Sequence, residues 1–215
     1  MYVSSIIRYS IEIRGTASPN PYFPDRDVQV MLRTNTKDYL GLSRIMPTGL
    51  KQTSSVVPIG FSVTETAANT FTQGSVDLNL SPLDREVFVV LSVNLDPDTP
   101  HSAAGVDTAV SSSLTTTSQT AIANLDNANC LATSTNIIRA AGFVDSGVGF
   151  TTGFFETPVG NLDYIGIIAT NDFFIQILGA GNPNAKTLNG KLYGYRAQAT
   201  ADIYAALVQS EVLSA

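Results

Sequence analysis

Catalytic and metal sites draw on sets of nucleophiles, bases or ligands, and this chain supplies the strongest of them singly. It has one histidine, His101, and one cysteine, Cys130. A Ser-His-acid triad would have to use His101, with Asp96 or Asp98 as the orienting carboxylate, yet no nucleophile-elbow pattern accompanies it. A solvated loop histidine is the simpler reading. Zinc takes several Cys or His ligands, and one of each builds no site without a majority of carboxylates. Asp96 and Asp98 flank Pro97 in a tight turn and are the weak metal candidates, able to lend oxygens to calcium. Calcium, however, takes about six to eight oxygens, and no EF-hand spacing follows. Turn chemistry accounts for the same residues, because Asp favours turn starts and Pro fixes φ.

Gly147, Gly149 and Gly153 superficially suggest a dinucleotide loop, but the third glycine falls one residue late and no βαβ unit surrounds them. Tyr193 and Tyr195 share one face of a strand and could stack on a ligand; core or interface packing is the plainer use. Without tryptophan the chain also lacks the commonest sugar-stacking platform. Carboxylate pairs for glycoside hydrolysis leave no spacing signature and stay open. The expectation is no catalytic residue, no enzyme activity and no cofactor.

The elements that would position any site read as strands. Ile7, Tyr9, Ile11 and Ile13 alternate with Arg8, Ser10, Glu12 and Arg14, a half-buried strand. Val28, Val30 and Leu32 repeat the pattern, and 35–55 is less regular, with a helical turn expected around Asp38 to Leu42. Strands are expected at 56–66 and 71–80, joined by a hairpin loop at Ala67 to Thr70. The run Val87 to Leu91 is apolar on both faces and reads as a central, doubly covered strand. A fainter pattern runs from Ile122 to Phe143. Segments 164–169, 173–178 and 191–199 then read as an antiparallel meander. Asp202 to Leu213 changes to helical spacing, with Ile203 and Leu207, and Tyr204, Val208 and Val212, on one face and Asp202 at the favourable N-terminal end.

Residues 101–118 are low in complexity: Ser and Thr fill half of 101–120. They read as an exposed polar loop or insertion at about 101–118. Val106, Val110 and Leu114 recur every four residues within it, so the segment can lay an apolar stripe on a neighbouring subunit or on its own sandwich. A mobile surface loop is the other reading.

At 215 residues, one all-β domain spanning 1–215 is expected. Charged residues are only 14% of the chain, so Ser, Thr and Asn must finish its surface. The net charge of −6 has the wrong sign for a chain that neutralises phosphates over its whole surface, and no direct nucleic-acid binding is expected. Residues 1–51 carry seven bases and four acids, whereas 52–215 carry five bases and fourteen acids. Such a field can orient neighbouring copies. Cys130 has no intrachain disulfide partner and reads as a small buried apolar residue. The first residues have no signal-peptide pattern and no apolar run spans a bilayer, so synthesis and folding in a cytoplasm are expected.

The strand blocks 3–14, 27–33, 56–66, 71–80, 86–96, 164–169, 173–178 and 191–199, the long polar loops and the missing catalytic set together resemble viral coat proteins of the single jelly-roll kind. The resemblance implies an antiparallel, jelly-roll-like β-sandwich with a short C-terminal helix. It further implies a homo-oligomeric role as a shell subunit in a virion, made in the host cytoplasm. No basic N-terminal arm precedes the first strand block, which better suits a shell lined by a membrane or another protein, or an outer decorating layer. The expectation from another class is a β-sandwich binding module that recognises carbohydrate or a receptor through its loops.

Overall fold

The structure, a computed structural model, describes residues 47–142, 150–155 and 163–213, with the backbone alone described at 150–155. The strands expected at 7–13 and 28–32 and the turn at 38–42 lie outside the described residues. So do Gly147 and Gly149 of the 147–153 glycine loop, whereas Gly153 falls in a described strand.

Ten strands and one helix are described: β1 Leu50–Gln52, β2 Val57–Thr64, β3 Thr72–Asp77, β4 Glu86–Pro97, β5 Thr108–Thr115, β6 Cys130–Arg139, β7 Phe150–Phe155, β8 Gly166–Ile168, β9 Asp172–Ala180, β10 Thr187–Ala199 and α1 Ala201–Leu213. Sheet A runs β1-β10-β4-β8, with β2 also pairing β10; sheet B runs β3-β9-β5-β6-β7. All the pairings are antiparallel. They are also nested: β5 pairs β6, β4 pairs β8, β3 pairs β9 and β2 pairs β10. One long hairpin folded over into two facing sheets gives this order, which is the jelly roll.

Nesting corrects two local expectations. The Ala67 to Thr70 connection is not a hairpin loop, because β2 joins sheet A while β3 joins sheet B. Nor do β8, β9 and β10 form a meander, since β9 lies in sheet B and the other two in sheet A. Alternating hydrophobicity marks a strand but carries no signal of which partner it takes.

The largest correction concerns 101–118. Thr108–Thr115 is β5, hydrogen-bonded to β9 on one side and β6 on the other, in the middle of sheet B. Val110 and Leu114 are 0% exposed and lie in the inter-sheet core, so neither is available for contact with another subunit. Val106, 45% exposed, stays outside the strand, in the turn before it. A spacing of four is also twice the strand period, and the Ser and Thr between these residues suit a strand whose outer face is itself covered. Ser113 and Thr115, on that outer face, are fully buried.

The core between the sheets takes Phe61, Phe88, Val90, Leu95, Leu188 and Leu192 from sheet A, and Val110, Leu114, Phe173, Ile175 and Ile177 from sheet B. Phe61 and Phe173 meet edge to face at 5.8 Å and 74°. A second cluster forms outside sheet A, where Ile203, Tyr204, Leu207 and Val208 of α1 pack on Val87, Val89, Tyr195 and Ala197. Core on one side and helix on the other make β4 the doubly covered strand its sequence suggests. Val212 departs from the expected helix face and is 63% exposed; Glu211 is buried instead.

Between Tyr193 and Gly194 the β10–β4 register shifts, so that Tyr193 opposes Ser92 while Gly194 opposes Val90. The extra residue, Leu91, is a β-bulge, and it reverses which β4 residues face inward. Before it Phe88 and Val90 enter the inter-sheet core; after it Val93 and Leu95 do. Gly194 faces the core directly below the Phe88 ring, where a Cβ would collide with that ring and with the Val89 carbonyl.

Two outcomes check this arrangement. Leu114→Ala is expected to lower stability in urea by about 2–5 kcal/mol, the range for a truncated core leucine. Removing 103–117 and bridging with glycine is expected to abolish the cooperative unfolding transition, since it takes out a central strand; a variant that melts like the parent would show that β5 is dispensable.

Candidate functional site

The residues with chemistry gather at one end of the sandwich, where the β2–β3, β4–β5 and β9–β10 connections meet. Asn182, 3% exposed, ties all three together. Its Oδ1 accepts the His101 N–H at 2.8 Å, and its Nδ2 donates to the Ala109 carbonyl at 2.8 Å. Its backbone N–H donates to Asn69 Oδ1 and its carbonyl accepts Asn69 Nδ2, each at 2.8 Å. Asn69 holds φ at +59°, a conformation Asn tolerates better than most residues. Beside it, the Glu65 carboxylate is 4% exposed and accepts the N–H groups of Gly179 (2.6 Å) and Lys186 (2.9 Å).

His101 lies within this clasp, but its backbone makes the contacts. Its carbonyl accepts the Thr108 hydroxyl at 2.7 Å, and the residue itself is exposed. Asp98 accepts the Thr187 N–H at 2.8 Å, which uses the carboxylate to pin β10 beside the end of β4. Asp96 is exposed on the outer face of β4. Among the described residues no three His, Cys, Asp or Glu side chains come together to hold a metal ion. Asp96 and Asp98 are thus two neighbouring carboxylates with no third beside them.

Cys130 is half-buried at the start of β6, not the fully buried apolar residue expected, and its thiol points at the carbonyls of Ala123 and Ala132. Tyr193 and Tyr195 do share a face of β10. Tyr195 is 2% exposed beneath α1, whereas Tyr193 is 37% exposed beyond the helix.

Two carboxylates are shifted in opposite directions. Asp107 accepts the N–H groups of Ala140 and Ala141 and pairs with Arg139 at 3.0 Å. The Ala141 N–H foremost, then the Arg139 guanidinium and the Ala140 N–H, hold its carboxyl below the usual range. Glu211 accepts the N–H groups of Ala169 and Thr170 at 3.0 and 2.9 Å, anchoring the end of α1 to the β8–β9 turn. Burial pushes its carboxyl up by more than those bonds lower it, and Asp172 nearby adds to the rise.

Sequence reasoning missed Asn182, Glu65 and Glu211. A run such as Gly181-Asn182-Pro183-Asn184 announces a turn and nothing more, and Glu65 and Glu211 look like ordinary surface acids. Their burial arises from chain segments distant in sequence. Comparison with protein-family models, with curated proteins and with solved structures finds no match to this chain.

The two shifts give opposite pH dependences. Because the folded Glu211 carboxyl is raised, its contribution to stability is fully present below its ordinary value of 4.5 and is lost as pH rises through the folded value. For Asp107 the contribution is present above its ordinary 3.8 and is lost as pH falls through the depressed folded value. Relative to Glu211→Gln, the parent is therefore expected to lose stability as pH climbs from mildly acid toward neutral. Relative to Asp107→Asn, it is expected to lose stability only in strong acid. Urea midpoints across pH check both, and a parent-minus-variant difference that stays flat would show that the carboxyl concerned is not shifted.

Proposed function

We propose that the chain is a structural subunit of a large symmetric protein shell of the viral capsid kind. On this reading it is a homo-oligomer that acts in the virion after synthesis in the host cytoplasm, with no catalytic step and no direct hold on nucleic acid. The observation that supports it best is how exposed apolar side chains are distributed over the jelly roll. Leu83, Leu125, Val212 and Leu213 are 95%, 60%, 63% and 76% exposed. All four belong to the end opposite the asparagine clasp, on the β3–β4 connection, the β5–β6 connection and the tail of α1. Single exposed leucines are ordinary, but several at one end are what a contact surface supplies.

Leu83 is held out on a rigid turn. Pro82–Asp84 is a short 3-10 helix, the Ser81 hydroxyl donates to Asp84 at 2.7 Å, and Arg85 closes the turn at φ +54°. Such a side chain loses little freedom on docking, which lowers the cost of association. The low proportion of charge helps in the same direction, because Ser, Thr and Asn are cheaper to desolvate at a contact than Lys or Glu.

Electron microscopy of the purified chain tests the reading: closed particles of uniform size are expected. Leu83→Asp combined with Leu213→Asp is expected to leave the melting temperature within a few degrees while holding the chain as monomers or small oligomers. A parent that stays monomeric over the concentrations and salts that assemble shells would overturn it.

A further inference from the structure

Where β1 and β10 end beside the start of β4, sheet A forms a hollow of about 410 Å³ next to the beginning of α1. Two of the side chains lining it are cationic, Lys51 and Arg85. Lys51 belongs to β1 and Arg85 immediately precedes β4, so the two charges stand on opposite sides of β10. Gln198, which opposes Lys51 in the ladder, and Thr200, which joins β10 to α1, complete the polar lining. Among the described residues no carboxylate lines the hollow.

Both cations are mounted on fixed backbone. Lys51 is a ladder residue of β1. Arg85, at φ +54°, donates its N–H to the Pro82 carbonyl at 3.1 Å, and its own carbonyl accepts the Ala199 N–H at 3.0 Å. Gly49, at φ +84°, brings β1 so close to α1 that a Cβ there would run into Ile203, and its carbonyl accepts the Thr200 N–H at 3.1 Å. The charged ends are not used in the same way: among the described residues neither the Lys51 ammonium nor the Arg85 guanidinium has a hydrogen-bond or ion-pair partner. The acids on either side of Arg85 in the chain are engaged elsewhere. Asp84 accepts the Ser81 hydroxyl at 2.7 Å, and Glu86 pairs with Arg196 at 3.0 Å.

Two uncompensated positive charges facing one hollow, in a chain of net charge −6, select an anion. A phosphate monoester carries close to two negative charges at neutral pH, and its oxygens point in several directions, so it can meet the Arg85 fork and the Lys51 ammonium from opposite sides at once. Gln198 Nε2 gives one hydrogen to the Asp84 carbonyl at 3.1 Å and has a second to donate. The start of α1, just past Thr200, adds the positive end of a helix dipole. The hollow is larger than a bare phosphate, and two cations are too few to follow a nucleic-acid strand. We propose that the hollow between Lys51 and Arg85 binds the phosphate group of a small phosphomonoester. The site goes beyond the shell reading and stands without it.

Calorimetric titration of the full chain with glycerol phosphate and with inorganic phosphate, against sodium chloride at matched ionic strength, tests the site. Saturable binding of the monoester is expected, weakened about tenfold or more in Lys51→Gln and in Arg85→Asn, the asparagine being chosen because it tolerates a positive φ. Melting temperatures without ligand check that each variant is folded, and backbone amide shifts in the parent, expected at residues 49–51, 85 and 198–202, locate the site without any variant. Chloride matching the monoester, inorganic phosphate binding where the monoester does not, unchanged affinity in both folded variants, amide shifts confined to other residues, or tighter binding of a single-stranded oligonucleotide than of the monoester would each overturn the proposal.

Discussion

The ladder between β4 and β10 is the constraint from which the rest of the molecule follows. It pairs Leu188 with Pro97 at one end and Gln198 with Glu86 at the other, and it shifts once, at Leu91. Without the shift, Phe88 and Leu95 could not both face the same core, because they differ in parity along the strand. With it, both enter the space between the sheets, while Val87 and Val89 are left on the outside and need a cover. The helix that supplies the cover follows β10 after a single residue, Thr200. Past the bulge the outer positions carry Asn94 and Asp96, which need none. One bulge thus divides one sheet face into a helix seat and a polar platform.

Burying so many Ser, Thr, Asn and Gln is costly unless each finds a partner, and sheet B shows how that is met. Gln176 is fully buried on its outer face. Its Oε1 accepts the Ser113 hydroxyl at 2.8 Å, and its Nε2 donates to Thr115 Oγ1 and Gln73 Oε1 at 2.7 and 3.1 Å. The connection after β5 closes over them, with the N–H groups of Gln119 and Ala123 donating to Gln73 and Ser113. The Ser134 hydroxyl is the exception among the described residues, buried with no hydrogen-bond partner. Such networks specify register as well as stability, since a slip of one residue would strand every member.

Much of the fold was legible where period and burial agree. The β4 run, the β9 and β10 alternation and the terminal helix all carry their own evidence in consecutive residues. Pairing was not legible, because β8, β9 and β10 follow one another in sequence yet belong to alternate sheets, and nothing local distinguishes a hairpin from a crossover. β5 was hidden for a different reason. Its outer face is covered by its own connection to β6, so Ser113 and Thr115 sit where a solvent-facing strand would show charge, and composition alone reads as loop. The candidate site was less legible than the fold: Asn182 reads as a turn residue and Glu65 as a surface acid, and only the meeting of three connections distant in sequence buries them.

The two ends of the sandwich differ in how their crossing connections are tied down. At the clasped end, the connections leaving β2, β4 and β9 each cross between sheets, so their backbone groups lose ladder partners together and in one place. Asn182, Asn69 and Glu65 replace those partners with side-chain bonds. At the other end the β3–β4 and β8–β9 connections cross between the sheets as well, but a single residue, Asn171, ties them together: its carbonyl accepts the Leu78 N–H and its Oδ1 accepts the Leu80 N–H. With backbone demands met so locally, side chains such as Leu83 are free to point outward. On the proposed reading it is this end, where Leu83 stands 95% exposed on a short 3-10 turn, that a neighbouring copy would cover.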